Sequence, residues 1–227
     1  VRVRSRTHTG FTIVEMMLVV AVAAVMVALA YPSWRRVNDN IRLRAAARAA
    51  QDSFTYAREQ AVRTGRRHLV LSQTGLGLDA CGAAIPSPLL VLDDTDQDCC
   101  VDAGEPTWSP EELADAGVQQ TAFWGVTNAA AQVPEDGGTG AMTTGSTFTR
   151  LGGGASVGVA FRGDGVPVAF SAACNLGNVG SGAGAYYFTN GRPGLSAAER
   201  RDLAVVLSAV GTAKAFSWEV SVGRWTQ

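Results

Sequence analysis

From Phe11 to Tyr31 the chain carries one charge, Glu15, and from Met16 to Tyr31 it has no strongly polar side chain at all. As a helix this run is about 31 Å long, roughly the hydrocarbon thickness of a bilayer. A helix apolar on every side belongs in a large core or in lipid. The length and the basic leader (Arg2, Arg4, Arg6) point to lipid. A carboxylate near the end of such a span is costly to bury, which makes Glu15 a functional suspect in need of a cationic partner. A secretory signal peptide is the competing reading, because Ala28-Leu29-Ala30 suits its cleavage site, but a carboxylate among the first apolar residues is foreign to such a segment. A plain signal anchor is the other. Arg35, Arg36, Arg42, Arg44 and Arg48 follow the span, so arginine counting alone does not predict an inward amino terminus.

The chain has 227 residues, enough for this helix and one exterior domain with a real core. Its formal charge is −1; without Val1 to Gly10, which hold three arginines and no acid, 16 basic residues stand against 20 acidic ones, a net of −4. An acidic chain is a poor general binder of nucleic acid.

Beyond Pro32 the helix is expected to continue, since alanine and arginine dominate and no glycine intervenes before Gly65, a natural stop. Trp34, Val37, Ile41 and Ala45 form one apolar stripe; Ala50, Phe54, Ala57 and Ala61 form another, rotated around the axis. After Gly65 the pattern changes to short strands at His68 to Ser72, Leu89 to Leu92, Gln120 to Val126, Ser156 to Phe161, Val166 to Ser171, Ala185 to Thr189, Leu203 to Ser208 and Phe216 to Val222. Phe161 to Val166 reads as a hairpin whose Gly-Asp-Gly supplies positive φ angles. Asn128 to Ser146 and Asn175 to Gly184 have little apolar bulk and are expected to be mobile or ordered only by a partner. Ser196 to Asp202 could form a short turn of helix.

Gly10-Phe11-Thr12-Ile13-Val14-Glu15 followed by the apolar helix resembles the class III signal of type IV pilins and type II secretion pseudopilins. The resemblance implies a leader at 1–10, cut between Gly10 and Phe11 by the prepilin peptidase, and methylation of the new amine on Phe11. It makes Glu15 the assembly carboxylate, neutralised by that amine on a neighbouring copy. Residues 11–31 are then the transmembrane segment, 32–65 the protruding helix and 66–227 the globular β-rich domain. Within the family, the segment Ile41 to Ala61, the hairpin Phe161 to Gly165 and the run Val205-Val206-Leu207-Ser208 resemble the GspH/FimT group. That implies an α+β fold, with a long N-terminal helix packed on an antiparallel β-sandwich-like domain. It also implies a non-enzymatic minor pilin in a tip or priming complex of a type IV pilus, with a type II secretion pseudopilin as the alternative. Implied partners are other pilins or pseudopilins, the prepilin peptidase and a tip adhesin. The implied location is a single pass of the inner membrane, the domain periplasmic, or extracellular at the pilus tip after assembly.

Asp94, Asp96, Asp98, Asp102 and Glu105 occupy positions 1, 3, 5, 9 and 12 of a calcium-loop spacing, with the Cys100 carbonyl at position 7. Five carboxylates in twelve residues repel one another unless a cation sits among them, so a structural Ca2+ is expected. The departure is Cys99 at position 6, where glycine normally makes the sharp turn. Cys81, Cys99, Cys100 and Cys174 all lie in the exterior part, where disulfides form. Because Cys99 and Cys100 are adjacent, each is expected to pair outward, with Cys81 and Cys174 in either order.

No G-x-S-x-G, H-E-x-x-H or Walker loop occurs, which argues against an enzyme. Some members of the resembled group bind DNA through a basic Gly-Arg-x-Arg turn. The corresponding Gly211-Thr212-Ala213-Lys214 lacks both arginines, and Gly223-Arg224-Trp225 offers one cation and one ring. A DNA-uptake pilin is therefore a further alternative, with nucleic acid an unfavoured partner.

Overall fold

Between Ile13 and Thr64 the chain has no glycine, and a single helix fills the whole interval. The computed structural model describes residues 12–74, 77–110, 122–154, 156, 158–191, 195–196 and 198–227. Helix α1 (Ile13–Thr64) opens on Thr12, whose hydroxyl accepts the Glu15 N–H at 3.2 Å, and it runs on through Pro32. It closes at Gly65, whose φ of 68° is the left-handed stop that glycine adopts without a Cβ penalty.

The chain separates into two units, one ending at Asn38 and one spanning Asp39–Gln227. In the first unit the apolar side chains of the helix stand exposed, Met17 at 69% and Leu29 at 77%. Among the described residues, α1 is one helix long and apolar enough to cross a membrane.

The second unit holds the rest of α1 and ten strands: β1 (His68–Ser72), β2 (Leu89–Asp93), β3 (Thr107–Trp108), β4 (Phe123–Trp124), β5 (Gly158–Phe161), β6 (Pro167–Val168), β7 (Gly184–Thr189), β8 (Asp202–Leu207), β9 (Ala213–Glu219) and β10 (Arg224–Thr226). They form two antiparallel sheets, β3-β2-β1-β5-β6 and β10-β9-β8-β7-β4. The layout is α+β and pilin-like: one long apolar N-terminal helix and C-terminal antiparallel sheets.

Strand alternation sorts the core into three clusters. Val70, Val91, Val159 and Phe161 of the first sheet and Tyr186, Phe188, Val205 and Leu207 of the second share a core with Leu43, Ala46, Ala50, Phe54, Ala57 and Ala61 of α1. Leu69, Leu71, Leu90 and Leu92 face the other way, toward the Cys99 and Cys174 loops. Tyr187, Ala204 and Val206 face Val133. Phe54 anchors the central cluster: its ring stacks on Tyr186 at 5.4 Å and meets Phe148 at 5.9 Å. The alanines around it let the helix lie close on both sheets.

The two helix stripes therefore have different fates. Ala50, Phe54, Ala57 and Ala61 are buried against the sheets, whereas Trp34, Val37 and Ile41 stand 57–66% exposed.

Three loop expectations need correction. The segment 128–146 is ordered within the chain: Tyr187 receives the Val133 N–H on its hydroxyl and donates to Asp136, and Trp225 Nε1 donates to the Ala131 carbonyl. In 175–184, the Gly177 N–H donates to the Ala169 carbonyl, and Ser181 Oγ accepts the Ala169 N–H. In the β5–β6 hairpin only Gly165 has a positive φ, 78°. Gly163 is needed for a different reason, since a Cβ there would collide with the Gly65 backbone. The Gln120–Val126 expectation lies partly outside the described residues; its observed strand is β4. Strands β3 and β10 were not anticipated.

Candidate functional site

Two places bear the residues singled out by the sequence. The first is the start of α1. Gly10 and Phe11 lie outside the described residues. Thr12 and Glu15 form the T-x-x-E spacing of an N-terminal cap, with the Glu15 N–H on Thr12 Oγ1 and the Met16 N–H on the Thr12 carbonyl at 3.1 Å. Glu15 stands exposed in the first turn, where a carboxylate is favoured by the helix dipole. At the far end of the apolar run the Arg35 guanidinium sits 5.1 Å from the centre of the Tyr31 ring, a cation on an aromatic face where the polar chain resumes.

The second is the acidic loop. It joins β2 to β3, which pair through Val91↔Trp108 and Leu92↔Thr107, and the Asp93 N–H donates to the Pro106 carbonyl. This strand pair, in place of flanking helices, brings the ends of the loop together. Glu105 Oε1 accepts the Thr95 N–H at 2.7 Å and its hydroxyl at 3.0 Å, while Oε2 is buried without a hydrogen-bond partner. Asp94, Asp96 and Glu105 each bring a carboxylate oxygen within 4.8 Å of the others, and so do Asp96, Asp98 and Asp102. Asp96 belongs to both groups.

Asp94 is not a free ligand. Its buried carboxylate forms an ion pair with Arg67 at 2.5 Å and accepts the Cys99 N–H at 3.4 Å. Burial pushes its pKa up, and Arg67 opposes the shift. Asp98 accepts the Cys100 N–H at 2.8 Å.

The cysteines pair as Cys81–Cys100 and Cys99–Cys174, with Cα separations of 5.5 and 5.4 Å, within the usual disulfide range. Cys99 adopts φ 62°, so the left-handed turn that glycine makes at position 6 is made here by a bridged cysteine. Gln97, two residues earlier, has φ 69°.

Sequence reasoning missed two buried carboxylates that build this unit. Asp79 accepts the Cys81 and Ala83 N–H groups on Oδ1 and the Val101 N–H on Oδ2, tying the Cys81 loop to the acidic loop. Its one local signal is the Asp-x-x-Gly turn at Asp79 to Gly82. Asp202, fully buried, accepts the N–H groups of Thr127, Asn128 and Ala129. Nothing near Asp202 in the sequence announces that role.

The fold is thus pilin-like in layout, one long apolar N-terminal helix and a disulfide-braced antiparallel β domain. The prokaryotic N-terminal methylation motif matches residues 5–31 of this chain, which supports a type IV pilin-like protein. Neither the curated proteins nor the solved structures contain a significant match to the chain.

Proposed function

We propose that the chain is a non-enzymatic minor pilin of the GspH/FimT group, acting in the tip or priming complex of a type IV pilus. The observation that carries this reading is the methylation motif at 5–31 on a helix whose apolar surface is exposed and whose lone charge is Glu15. Such a helix is held in the inner membrane as a single pass, with the β domain in the periplasm. After cleavage following Gly10, the amine on Phe11 of one subunit neutralises Glu15 of another. Moving from lipid into a bundle of similar helices then removes the cost of an unpaired carboxylate. Mass analysis of the purified protein tests this. The expected mature chain begins at N-methylated Phe11, and a chain beginning at Tyr31, or retaining residues 1–10 in working cells, overturns it.

Type II secretion uses the same N-terminal machinery. Recovery of the subunit in sheared surface pili supports the pilus, and its retention in the envelope with secretion components supports the alternative. DNA uptake is disfavoured by a specific contact: Lys214, the one cation of the Gly211 to Lys214 turn, is paired with Glu135 at 2.9 Å.

We propose further that the acidic loop binds a structural Ca2+. The favouring observation is Asp96 shared between two carboxylate groups, beside the unpartnered Glu105 Oε2. Because Arg67 already neutralises Asp94, the hard oxygens left for a cation come from Asp96, Asp98, Asp102 and Glu105, with the Cys100 carbonyl as the main-chain candidate. A melting temperature higher in calcium than in chelator is expected; equal values overturn the site.

A further inference from the structure

At the C-terminal end of the apolar run the residue types change within two turns of α1. Met16 to Ala30 have no strongly polar side chain; Tyr31, Trp34, Arg35 and Arg36 follow. All four are exposed, Tyr31 at 50% and Trp34 at 66%, and Ser33 between them returns its hydroxyl to the Ala30 carbonyl. From Tyr31 to Arg36 the helix rises about 7.5 Å. One headgroup layer is about 5–7 Å deep, half the difference between a bilayer of about 40–45 Å and its hydrocarbon core of about 30 Å. The group matches that layer. Arg35 lies 5.1 Å from the centre of the Tyr31 ring and forms no ion pair among the described residues. The first carboxylate after it in the chain, Asp39, is buried.

We propose that Tyr31, Trp34, Arg35 and Arg36 form a belt that binds the phosphate of anionic phospholipids in the leaflet at this end of the span. The inference rests on the anchored reading above, which places these arginines on the non-cytoplasmic side. A positive excess there does not help insertion, so the two guanidiniums need another role, and an anionic headgroup supplies it. The Tyr31 ring holds Arg35 beside the last apolar residues, and its planar fork can give two N–H groups to one phosphate. Arg36, about 100° further round the helix, adds a second cation. Trp34 brings an amphipathic ring of the kind that sits at headgroup level. Continuity with the span decides the occupant: a lipid covers both rings and both cations, whereas a free phosphate leaves the rings bare.

The test uses full-length protein in phosphatidylcholine vesicles doped with spin-labelled phosphatidylglycerol or spin-labelled phosphatidylcholine. The motionally restricted fraction of each label gives the preference for the anionic lipid. Wild type should prefer phosphatidylglycerol, and the preference should fall in about 1 M salt, where the screening length is about 3 Å. One arginine near an anionic surface is worth about fivefold, so Arg35→Gln/Arg36→Gln should lower the preference about fivefold or more. Arg44→Gln/Arg48→Gln removes the same charge from exposed sites outside the belt and should keep it. All four sites are exposed, so both variants should melt with the wild type. If wild type shows no preference, if Arg35→Gln/Arg36→Gln retains it, or if the control variant loses as much, the belt is refuted. Alkaline carbonate extraction of the same vesicles reports on anchoring separately. Extracted protein overturns the anchored reading and the belt together, whereas anchored protein without the preference overturns the belt alone.

Discussion

Cys99 and Cys174 are bridged to each other and both hold left-handed backbone, with φ of 62° and 58°. A side chain in that region costs about 1–2 kcal/mol, and here the covalent link holds both residues there. The bridge closes a separation of 75 residues, worth about 4.5 kcal/mol by loop entropy; Cys81–Cys100 closes 19, worth about 3 kcal/mol. Replacing Cys99 and Cys174 together by alanine should cost about 4 kcal/mol in a denaturant titration. Cys99→Gly with Cys174→Ala should lose about 1 kcal/mol less, because glycine takes the positive φ freely. Equal losses would show that backbone conformation at position 99 is not part of the bridge's role.

Arg67 and Asp94 form a buried pair, and breaking it from one side strands the other charge. Arg67→Met leaves the Asp94 carboxylate buried and unpaired and should destabilise the domain by about 3–5 kcal/mol, whereas Arg67→Met with Asp94→Leu should restore most of that loss. Chemical denaturation of the three proteins in chelator decides it.

The same carboxylate gives a pH signature. Its folded pKa is raised above 3.8 by burial, so the folded state binds the proton more tightly than the unfolded chain does. Its contribution is then most favourable below the unfolded value and is lost as pH rises through the folded one. In chelator, wild type should therefore gain stability relative to Asp94→Asn as pH falls toward 3.8; a constant difference across that range contradicts the assignment.

Asp202 and Phe54 each hold distant segments together. Asp202→Ala leaves three backbone N–H groups of Thr127 to Ala129 without their acceptor and should cost about 3 kcal/mol, with faster hydrogen exchange in 127–136. Phe54→Ala should cost about 3–5 kcal/mol through the cavity left among Tyr186, Phe148 and Phe161. Unchanged exchange in the Asp202 variant, or a loss below about 1 kcal/mol for Phe54, would contradict these roles.

Glu15→Leu removes the one charge from the span and should strengthen membrane insertion by about 2–3 kcal/mol at most, less if the carboxylate reaches the interface. Under the proposed function the variant should remain in the membrane fraction and be missing from sheared filaments, with cleavage after Gly10 intact. Normal incorporation into filaments would remove Glu15 from the assembly step.

Local chemistry made much of this protein legible. The apolar run from Met16 needs no distant partner to be a helix, Gly65 stops it by its own backbone freedom, and β1, β2, β7 and β8 follow from short apolar runs rich in branched and aromatic residues, buried along nearly their whole length. The spacing of the acidic loop was equally visible. Strands β3 and β10, two and three residues long, were not, because they exist through pairing with β2 and β9 rather than through their own pattern.

The amino-acid order alone determined the membrane-type helix, its cap, its single carboxylate and the methylation motif, since each depends on neighbours a few residues away. Tertiary structure alone decided which cysteine meets which, that Arg67 claims Asp94, and that 128–146 is tied down by Asp202 and Tyr187 from 51 to 74 residues away. Those outcomes come from burial, where a carboxylate or amide must find its partner wherever the chain has brought one, and no local pattern encodes where that will be.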